Sequence, residues 1–235
     1  MKGSLSKGSL SINQPGVRNA LNRYFLWKGG GRTRFRIMSP YPLFPEASEL
    51  DRQFDQIKAE VTNLIESRDV RTYGEIDPLR AAQVSTEWKL YYAYMLGEAN
   101  PVAYRDCPAF VHFAERTPRV VNAIIAILEP RVTLKAHEGP YAGILRYHLP
   151  LTVPENNPPR LRVDMEMHTW KEGEGILIDD TFEHEVYNDS DGRRVMLIVD
   201  IRRPLGPVSD AINRLSLRAK RKWNSQFIKM SGGDI

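Results

Sequence analysis

The feature that most constrains the fold is a series of short apolar runs separated by turn residues between positions 123 and 201. The intervening segments are rich in Gly, Pro, Asn and Asp, which favour turns. Regularly spaced strands joined by turns are typical of a β-sandwich or barrel. A double-sheet jelly roll limits exposed strand edges, so we predict a mainly β jelly roll. The runs are AIIAIL (123–128), GILRYHLPLTV (143–153), RLRVDM (160–165), GILID (175–179) and RVMLIVDI (194–201).

The segments before this β region have a different character. Residues 1–40 are rich in Gly, Ser and Arg, and we predict a flexible basic segment. Residues 41–207 are predicted to form the main domain, with a helical lead-in to about residue 121 and the jelly-roll core over about 122–205. The stretch FPEASELDRQFDQIKAEVTNLIES predicts a helix, because its apolar residues recur at steps of four and three. These residues are Leu50, Phe54, Ile57, Val61 and Leu64.

The C-terminal residues 208–235 are predicted to form a basic amphipathic helix that Ser209 caps. Such a helix can lie on a membrane surface or pack on its own domain, and the sequence leaves both open. The predicted apolar face consists of Ile212, Leu215, Ala219, Trp223 and Phe227.

The charge of the chain is unevenly distributed, although its net value is only +4. Residues 1–45 contain eight Lys or Arg and no acidic residue, and residues 211–235 contain six Lys or Arg with Asp234 as the one acid. Basic ends of this kind suit an anionic membrane surface or nucleic acid, or they are solvated tails. Because no nucleic-acid-binding motif is present, we expect no nucleic-acid partner and keep peripheral membrane contact as an alternative.

Cysteine content and hydropathy indicate the cellular compartment in which the protein is expected. Cys107 is the one cysteine, which excludes an internal disulfide framework and a thiolate zinc cluster. The N-terminus has no apolar region typical of a secretory signal, and no apolar run reaches the roughly 18–20 residues that span a bilayer. We therefore expect a cytoplasmic protein, with a peripheral position at the inner membrane surface as the alternative.

Two histidines are candidate metal ligands because the jelly roll can bring strand ends together. His137 and His184 are 47 residues apart, and each lies at a predicted strand end. Neutral imidazoles suit divalent iron. In most iron sites with two histidines a carboxylate follows the first by two residues, but here that residue is Gly139. Arg194 begins a long strand, and an arginine inside a barrel needs an anion, for which its planar fork suits a carboxylate.

Three segments together resemble the catalytic domain of the aspartyl/asparaginyl β-hydroxylase family. They are HEGPYAGILRYHLPL (137–151), TWKEGEGILIDDTFEHEVYND (169–189) and GRRVMLIVDIRRPL (192–205). The resemblance covers roughly residues 85–205. It implies a double-stranded β-helix (a jelly roll, cupin-like) with flanking helices, and an oxygenase that uses Fe(II), 2-oxoglutarate and O2. Members of this family lack the carboxylate ligand and have glycine in its place, which accounts for Gly139.

The resemblance also implies roles for individual residues. His137 and His184 would bind the metal, and Asp180 would hold a metal-bound water. The cofactor-binding residues would be Arg194, at the distal carboxylate of 2-oxoglutarate, and Arg146 and His148, at its metal-proximal end. Trp88 and Ile144 would line the substrate pocket. Two positions depart from the family: Ile144 replaces an arginine that grips an acidic substrate, and Ala126 replaces a hydroxyl near the cosubstrate.

The implied function is hydroxylation of an unactivated C–H bond in an aspartyl, asparaginyl or other amino-acid substrate. The alternative is hydroxylation of a bacterial lipid acyl chain, of the lipid A or ornithine lipid type. A third reading is a non-catalytic jelly-roll binding module. The expected partner is therefore a small-molecule, peptidyl or lipid substrate.

Overall fold

The structure is a computed structural model that describes residues 15–30 and 35–223. Eight helices are present in these ranges: α1 (Pro15–Lys28), α2 (Ala47–Arg52), α3 (Phe54–Ser67), α4 (Tyr73–Ile76), α5 (Pro78–Val84), α6 (Ala103–Asp106), α7 (Pro108–Arg116) and α8 (Pro207–Trp223). Eleven strands accompany them: β1 (Ile37–Met38), β2 (Lys89–Met95), β3 (Glu98–Ala99), β4 (Val120–Leu128), β5 (Thr133–His137), β6 (Ile144–Thr152), β7 (Arg160–Val163), β8 (Glu166–Thr169), β9 (Ile176–Ile178), β10 (His184–Tyr187) and β11 (Arg194–Arg202).

The strands form two antiparallel sheets. The larger has seven strands in the order β1-β9-β6-β11-β4-β2-β3, and the smaller has four in the order β5-β10-β7-β8. Each of the five predicted apolar runs contains or overlaps a strand of these sheets. The predicted mainly β jelly roll with flanking helices is therefore confirmed.

The alternation of side chains along β11 separates the two faces of the large sheet. Val195, Leu197 and Val199 face the helical side and join the core that includes α3 and α7. Met196 and Ile198 face the opposite way and pack with residues of the small sheet. Since side chains alternate along a strand, Arg194 lies on this second face. The space between the two sheets is therefore where a ligand site can be built.

The helices that cover the outer face follow the predicted apolar stripe. Leu50, Ile57, Val61 and Leu64 are buried against the large sheet. The predicted helix is divided at Gln53, where α2 ends and α3 begins. This layer keeps water away from one face of the large sheet and leaves the other face for the interior of the barrel.

The predicted lead-in and N-terminal segment need two corrections. The lead-in before residue 121 is not only helical, because β1, β2 and β3 add strands to the large sheet. The flexible segment predicted over residues 1–40 is wrong for Pro15–Lys28, which forms α1. Asn22 of α1 donates to the Pro140 carbonyl at 3.1 Å and accepts from the Ala142 amide at 3.0 Å. Residues 1–14 and 31–34 lie outside the described residues.

The C-terminal helix packs on the domain mainly through Ser209, Asn213 and Ser216, so the predicted apolar face is only partly correct: Ile212 does pack on the domain. Asn213 is fully buried, donates to the Gly143 carbonyl at 2.6 Å and accepts from Tyr141 at 2.7 Å. Ser209 is not the cap, since the helix begins at Pro207, and its hydroxyl bonds that of Tyr24. Leu215, predicted to face the domain, is 63% exposed. Phe227 and the side chain of Trp223 lie outside the described part.

None of the described helices combines the length and the apolar character that crossing a bilayer requires.

Candidate metal centre

The two candidate metal ligands lie side by side on adjacent strands of the small sheet. His137 ends β5, His184 begins β10, and the two are register partners. Their ring centroids are 4.3 Å apart. The structure thus brings together two histidines that the sequence separates by 47 residues.

Each imidazole is held by a hydrogen bond from Nδ1 to the backbone carbonyl two residues earlier. Nδ1 of His137 lies 2.6 Å from the Lys135 carbonyl, and Nδ1 of His184 lies 2.9 Å from the Phe182 carbonyl. A carbonyl only accepts, so each Nδ1 carries the hydrogen and each Nε2 keeps a free lone pair. Burial lowers the pKa of His184 to about 3 and also lowers the pKa of His137. Two neutral imidazoles with free Nε2 atoms suit a divalent metal ion.

A cavity of about 260 Å³ opens in front of this pair. Both histidines line it, together with Arg146 and the two predicted substrate-pocket residues, Trp88 and Ile144. Trp88 packs edge-to-face on Tyr73 with ring centroids 5.7 Å apart. The structure therefore places five of the predicted site residues around one space.

Asp180 fills the place where a side chain at position 139 would lie. A Cβ added to Gly139 would meet the Asp180 carboxyl carbon at 2.4 Å. Asp180 is fully buried, and within the described ranges neither of its oxygens has a hydrogen-bond partner. The nearest cation is Arg146, 3.7 Å away. Burial raises the pKa of Asp180 to about 6. A carboxylate two residues after His137 is therefore sterically excluded unless Asp180 moves.

We expect Gly139→Ala to lower the free energy of unfolding by about 1–3 kcal/mol, because the buried Asp180 cannot yield without disturbing its surroundings. Gly206→Ala is the matched control, since a Cβ there meets nothing within 4 Å. Thermal melts of both variants and the wild type measure the effect. Equal melting temperatures for Gly139→Ala and Gly206→Ala would show that the close contact does not constrain the site.

Arg194 is a buried cation for which the described residues provide no anion. Its side chain is 2% exposed, forms no salt bridge with them, and leaves Nε without a hydrogen-bond partner. The guanidinium lies 4.6 Å from the centre of the Trp170 ring. Burial lowers the pKa of Arg194 to about 9. Burying a charge without a counter-charge is costly, so this position fits an anionic ligand.

His148 lies beside the same tryptophan and adds further unsatisfied groups. Its ring centroid is 5.9 Å from that of Trp170, and its side chain is buried. Both ring nitrogens of His148 and Nε1 of Trp170 lack partners among the described residues. Burial, with Arg146 and Arg194 nearby, holds the pKa of His148 well below its usual range. Polar groups left unsatisfied together in an interior fit a polar ligand.

Arg146 has a protein partner that sequence reasoning missed. Its Nε and Nη2 donate to the two oxygens of Asp200 at 2.7 and 3.1 Å. Asn122 also donates to Asp200, at 2.8 Å. Asp200 lies six residues after Arg194, so strand alternation alone would have placed it on the same inner face. The expected contact of Arg146 with a cosubstrate remains a prediction.

No group of three or more His, Cys, Asp or Glu side chains in residues 15–30 and 35–223 is arranged to hold a metal. A metal at the histidine pair would therefore have two protein ligands from this part of the chain.

Ala126, where the sequence departs from the family's hydroxyl residue, is buried in the same inner apolar cluster as Leu90 and Ile198. That cluster makes the surroundings of the site apolar.

The sequence profile of the aspartyl/asparaginyl β-hydroxylase family matches residues 51–204. The chain is 30% identical over 207 residues to the ornithine lipid ester-linked acyl 2-hydroxylase of Rhizobium tropici, covering 83% of this chain and 74% of that protein. It is 30% identical over 123 residues to human aspartyl/asparaginyl β-hydroxylase, covering 50% of this chain but only 16% of that protein.

Solved structures with a similar barrel are remote in sequence. A cupin 2 conserved barrel domain protein from Salinispora arenicola has a TM-score of 0.34 at 11% identity, covering 55% of this chain and 84% of that one. A cupin 2 domain of a transcriptional regulator from Enterobacter cloacae has a TM-score of 0.34 at 12% identity, covering 48% and 95%.

Proposed function

Because the chain belongs to the aspartyl/asparaginyl β-hydroxylase family, we propose that it is an iron(II)- and 2-oxoglutarate-dependent dioxygenase that hydroxylates an unactivated C–H bond. The observation that carries this proposal is Arg194, a buried arginine to which the described residues offer no anion. A metal-free binding module has no need of two neighbouring histidines with free Nε2 atoms, nor of a buried cation between the same two sheets.

The residues present fit the groups that the proposal requires. His137 and His184 would hold the iron through Nε2, since each Nδ1 is already bonded to a carbonyl. Iron and 2-oxoglutarate, when bound, would supply the activation of O2 that C–H oxidation requires. Arg194 would bind the distal carboxylate of 2-oxoglutarate through its planar fork. His148 would hydrogen-bond the other end of the same molecule through a ring nitrogen that is now unpaired.

Asp200 and Asp180 would position the groups around the metal. Asp200 holds Arg146 on the cavity wall, so the guanidinium is already positioned before any ligand binds. Asp180 would accept a hydrogen bond from a metal-bound water, which is the role its unsatisfied oxygens suit. The apolar layer that includes Ile124, Met196 and Ile198 would keep bulk water from the reacting atoms.

Two observations favour a lipid acyl chain as the substrate. The match to the Rhizobium tropici acyl 2-hydroxylase extends over 83% of this chain, against 50% for the human protein. Ile144, Met95 and Trp88 are among the residues that line the cavity, and such apolar side chains suit an alkyl chain. An aspartyl, asparaginyl or other amino-acid substrate is the second candidate, favoured by the histidine motifs that the sequence shares with that branch of the family.

Aerobic incubation with iron, ascorbate and 2-oxoglutarate tests the proposal. We expect succinate to form, and one of three offered substrates to gain about 16 Da, the mass of one oxygen atom. The three are an ornithine lipid, an acidic peptide and free amino acids. The absence of iron-dependent succinate, with or without these substrates, would contradict the proposed chemistry.

A lipid substrate also requires access to a membrane, and the outer side of α8 offers a contact surface. Val208 and Leu215 are exposed, as are Arg214 and Arg218. Exposed apolar residues flanked by arginines suit an anionic bilayer, so we propose peripheral contact there. Co-sedimentation with anionic but not with neutral vesicles is expected. Equal sedimentation with both would contradict an electrostatic contact.

A further inference from the structure

Lys220 reaches the cavity from a helix that lies beyond the family match. Helix α8 begins at Pro207, after the matched residues 51–204. Asn213 fixes the helix on the domain through Tyr141 and the Gly143 carbonyl. Lys220 follows Asn213 by two turns and so lies on the same face of the helix. Its side chain lines the cavity that contains the histidine pair.

The ammonium group of Lys220 has no ionic partner there. Among the described residues it forms no hydrogen bond or salt bridge, and its Nζ lies over the Tyr141 ring, 5.8 Å from the centroid. Two carboxylates line the cavity: Asp200 accepts from Arg146 and Asn122, and Asp77 accepts from the backbone amide of Arg80. The negative charge of the cavity wall is therefore already engaged.

A second cation on the cavity wall is also without a counter-charge. Arg80 of α5 lines the cavity and forms no salt bridge within residues 15–30 and 35–223. Its backbone amide is fixed by Asp77, which caps α5. Burial, with Arg80 nearby, lowers the pKa of Lys220. Two partly buried cations around one small cavity attract an anion more strongly than the same groups on an open surface.

We propose that Lys220, assisted by Arg80, binds a carboxylate of the substrate and so sets substrate specificity. This inference rests on the proposed hydroxylase function and names the chemical class of its substrate. The carboxylate belongs either to a free amino acid or to the amino-acid headgroup of a lipid. Lys220 contacts the part of the substrate that does not react, while Arg194 serves the cosubstrate.

Binding to the metal-free protein tests this role without relying on turnover. The probes are N-octanoyl-norvaline, with a free carboxylate, and its neutral methyl ester, measured by titration calorimetry. Lys220→Met is expected to weaken binding of the acid by about tenfold or more, the loss expected for one charge-assisted hydrogen bond. Binding of the ester is expected to stay the same in the variant. Lys220→Arg, which keeps the charge, is expected to retain most of the preference for the acid.

Arg218→Met is the matched control, because Arg218 is an exposed cation on the same helix. If α8 acts only as a basic surface, the two methionine variants weaken binding equally, and the proposal is overturned. It is equally overturned if the wild type does not prefer the acid to the ester or binds neither. Thermal melts establish that each variant is folded.

Two further measurements distinguish the source of the carboxylate and test the proposed hydroxylase function separately. Free ornithine and free aspartate, titrated beside the acylated probe, show whether the carboxylate comes from a free amino acid or from an acylated headgroup. The succinate assay with the wild type tests the proposed function separately. Succinate formation with no effect of Lys220→Met on acid binding overturns only this inference, whereas a Lys220-dependent preference without succinate overturns only the hydroxylase.

Discussion

Arg194→Met is expected to abolish 2-oxoglutarate binding and, at the same time, to stabilise the cosubstrate-free protein. Both effects have one cause, the burial of a guanidinium without an anion. Replacing buried ionic groups by well-packed apolar residues is often neutral or stabilising by about 1–4 kcal/mol. In a chain of this size each kcal/mol raises the melting temperature by about 2–4 °C. Trp170 and Met196 provide apolar neighbours for the new side chain.

Thermal melts with and without 2-oxoglutarate measure both effects. The wild type is expected to gain stability as the cosubstrate is added, because a ligand that binds only the folded state stabilises it. Arg194→Met is expected to start from a higher melting temperature and to gain nothing. Arg193→Met is the control, since Arg193 is the adjacent residue but is exposed and near Glu129. A variant at position 194 that melts lower and still responds to 2-oxoglutarate would contradict the assigned role.

His184→Ala is expected to eliminate iron-dependent turnover and to weaken Mn(II) binding by at least about 100-fold. Losing a partner outside the ligand shell already costs a metal site about 10–100-fold, and a site with two protein ligands loses half of them here. His137→Ala is expected to behave in the same way, because the two rings lie side by side as a pair. Removing the ring at position 184 leaves a cavity, so metal affinity is compared with the melting temperature for each variant.

His112→Ala provides the matched control for these two variants. His112 lies on α7, where its side chain is exposed and close to Glu115, outside the cavity. It is expected to bind Mn(II) as the wild type does. Unchanged Mn(II) affinity in both His137→Ala and His184→Ala would show that the metal binds elsewhere.

The β core could be predicted from the sequence because its strands are short apolar runs bounded by turn residues, whereas its flanks depend on distant partners. Each of the five apolar runs contains or overlaps a strand. Strand β2 was missed because WKLYYAYML lies before this regular series of runs and turns. The predicted face of α8 includes Ile212, which does pack on the domain, but it missed Asn213, whose partners Tyr141 and Gly143 lie about seventy residues earlier. Periodicity cannot anticipate such pairs.

Some residues of the candidate site could likewise be selected from the sequence, whereas others depend on the folded structure. His137, His184 and Arg194 could be selected because charged or imidazole side chains at strand ends are informative residue types. Asp200 was not selected, although its place on the inner face follows from the alternation of β11. Lys220 could not have been selected, since its place in the cavity depends on how α8 docks. The space that Asp180 occupies beside Gly139 is likewise a property of the folded chain alone.

The central claim is that His137 and His184 hold a metal without a carboxylate ligand, next to an arginine that binds the cosubstrate. A crystal grown without oxygen, containing Mn(II) and 2-oxoglutarate, tests it most directly through the anomalous scattering of the metal. We predict one ion bonded to Nε2 of both histidines, no side-chain carboxylate in its coordination shell, and a carboxylate of 2-oxoglutarate on Arg194. Direct coordination by Asp180, or an ion bound away from both imidazoles, would contradict the account.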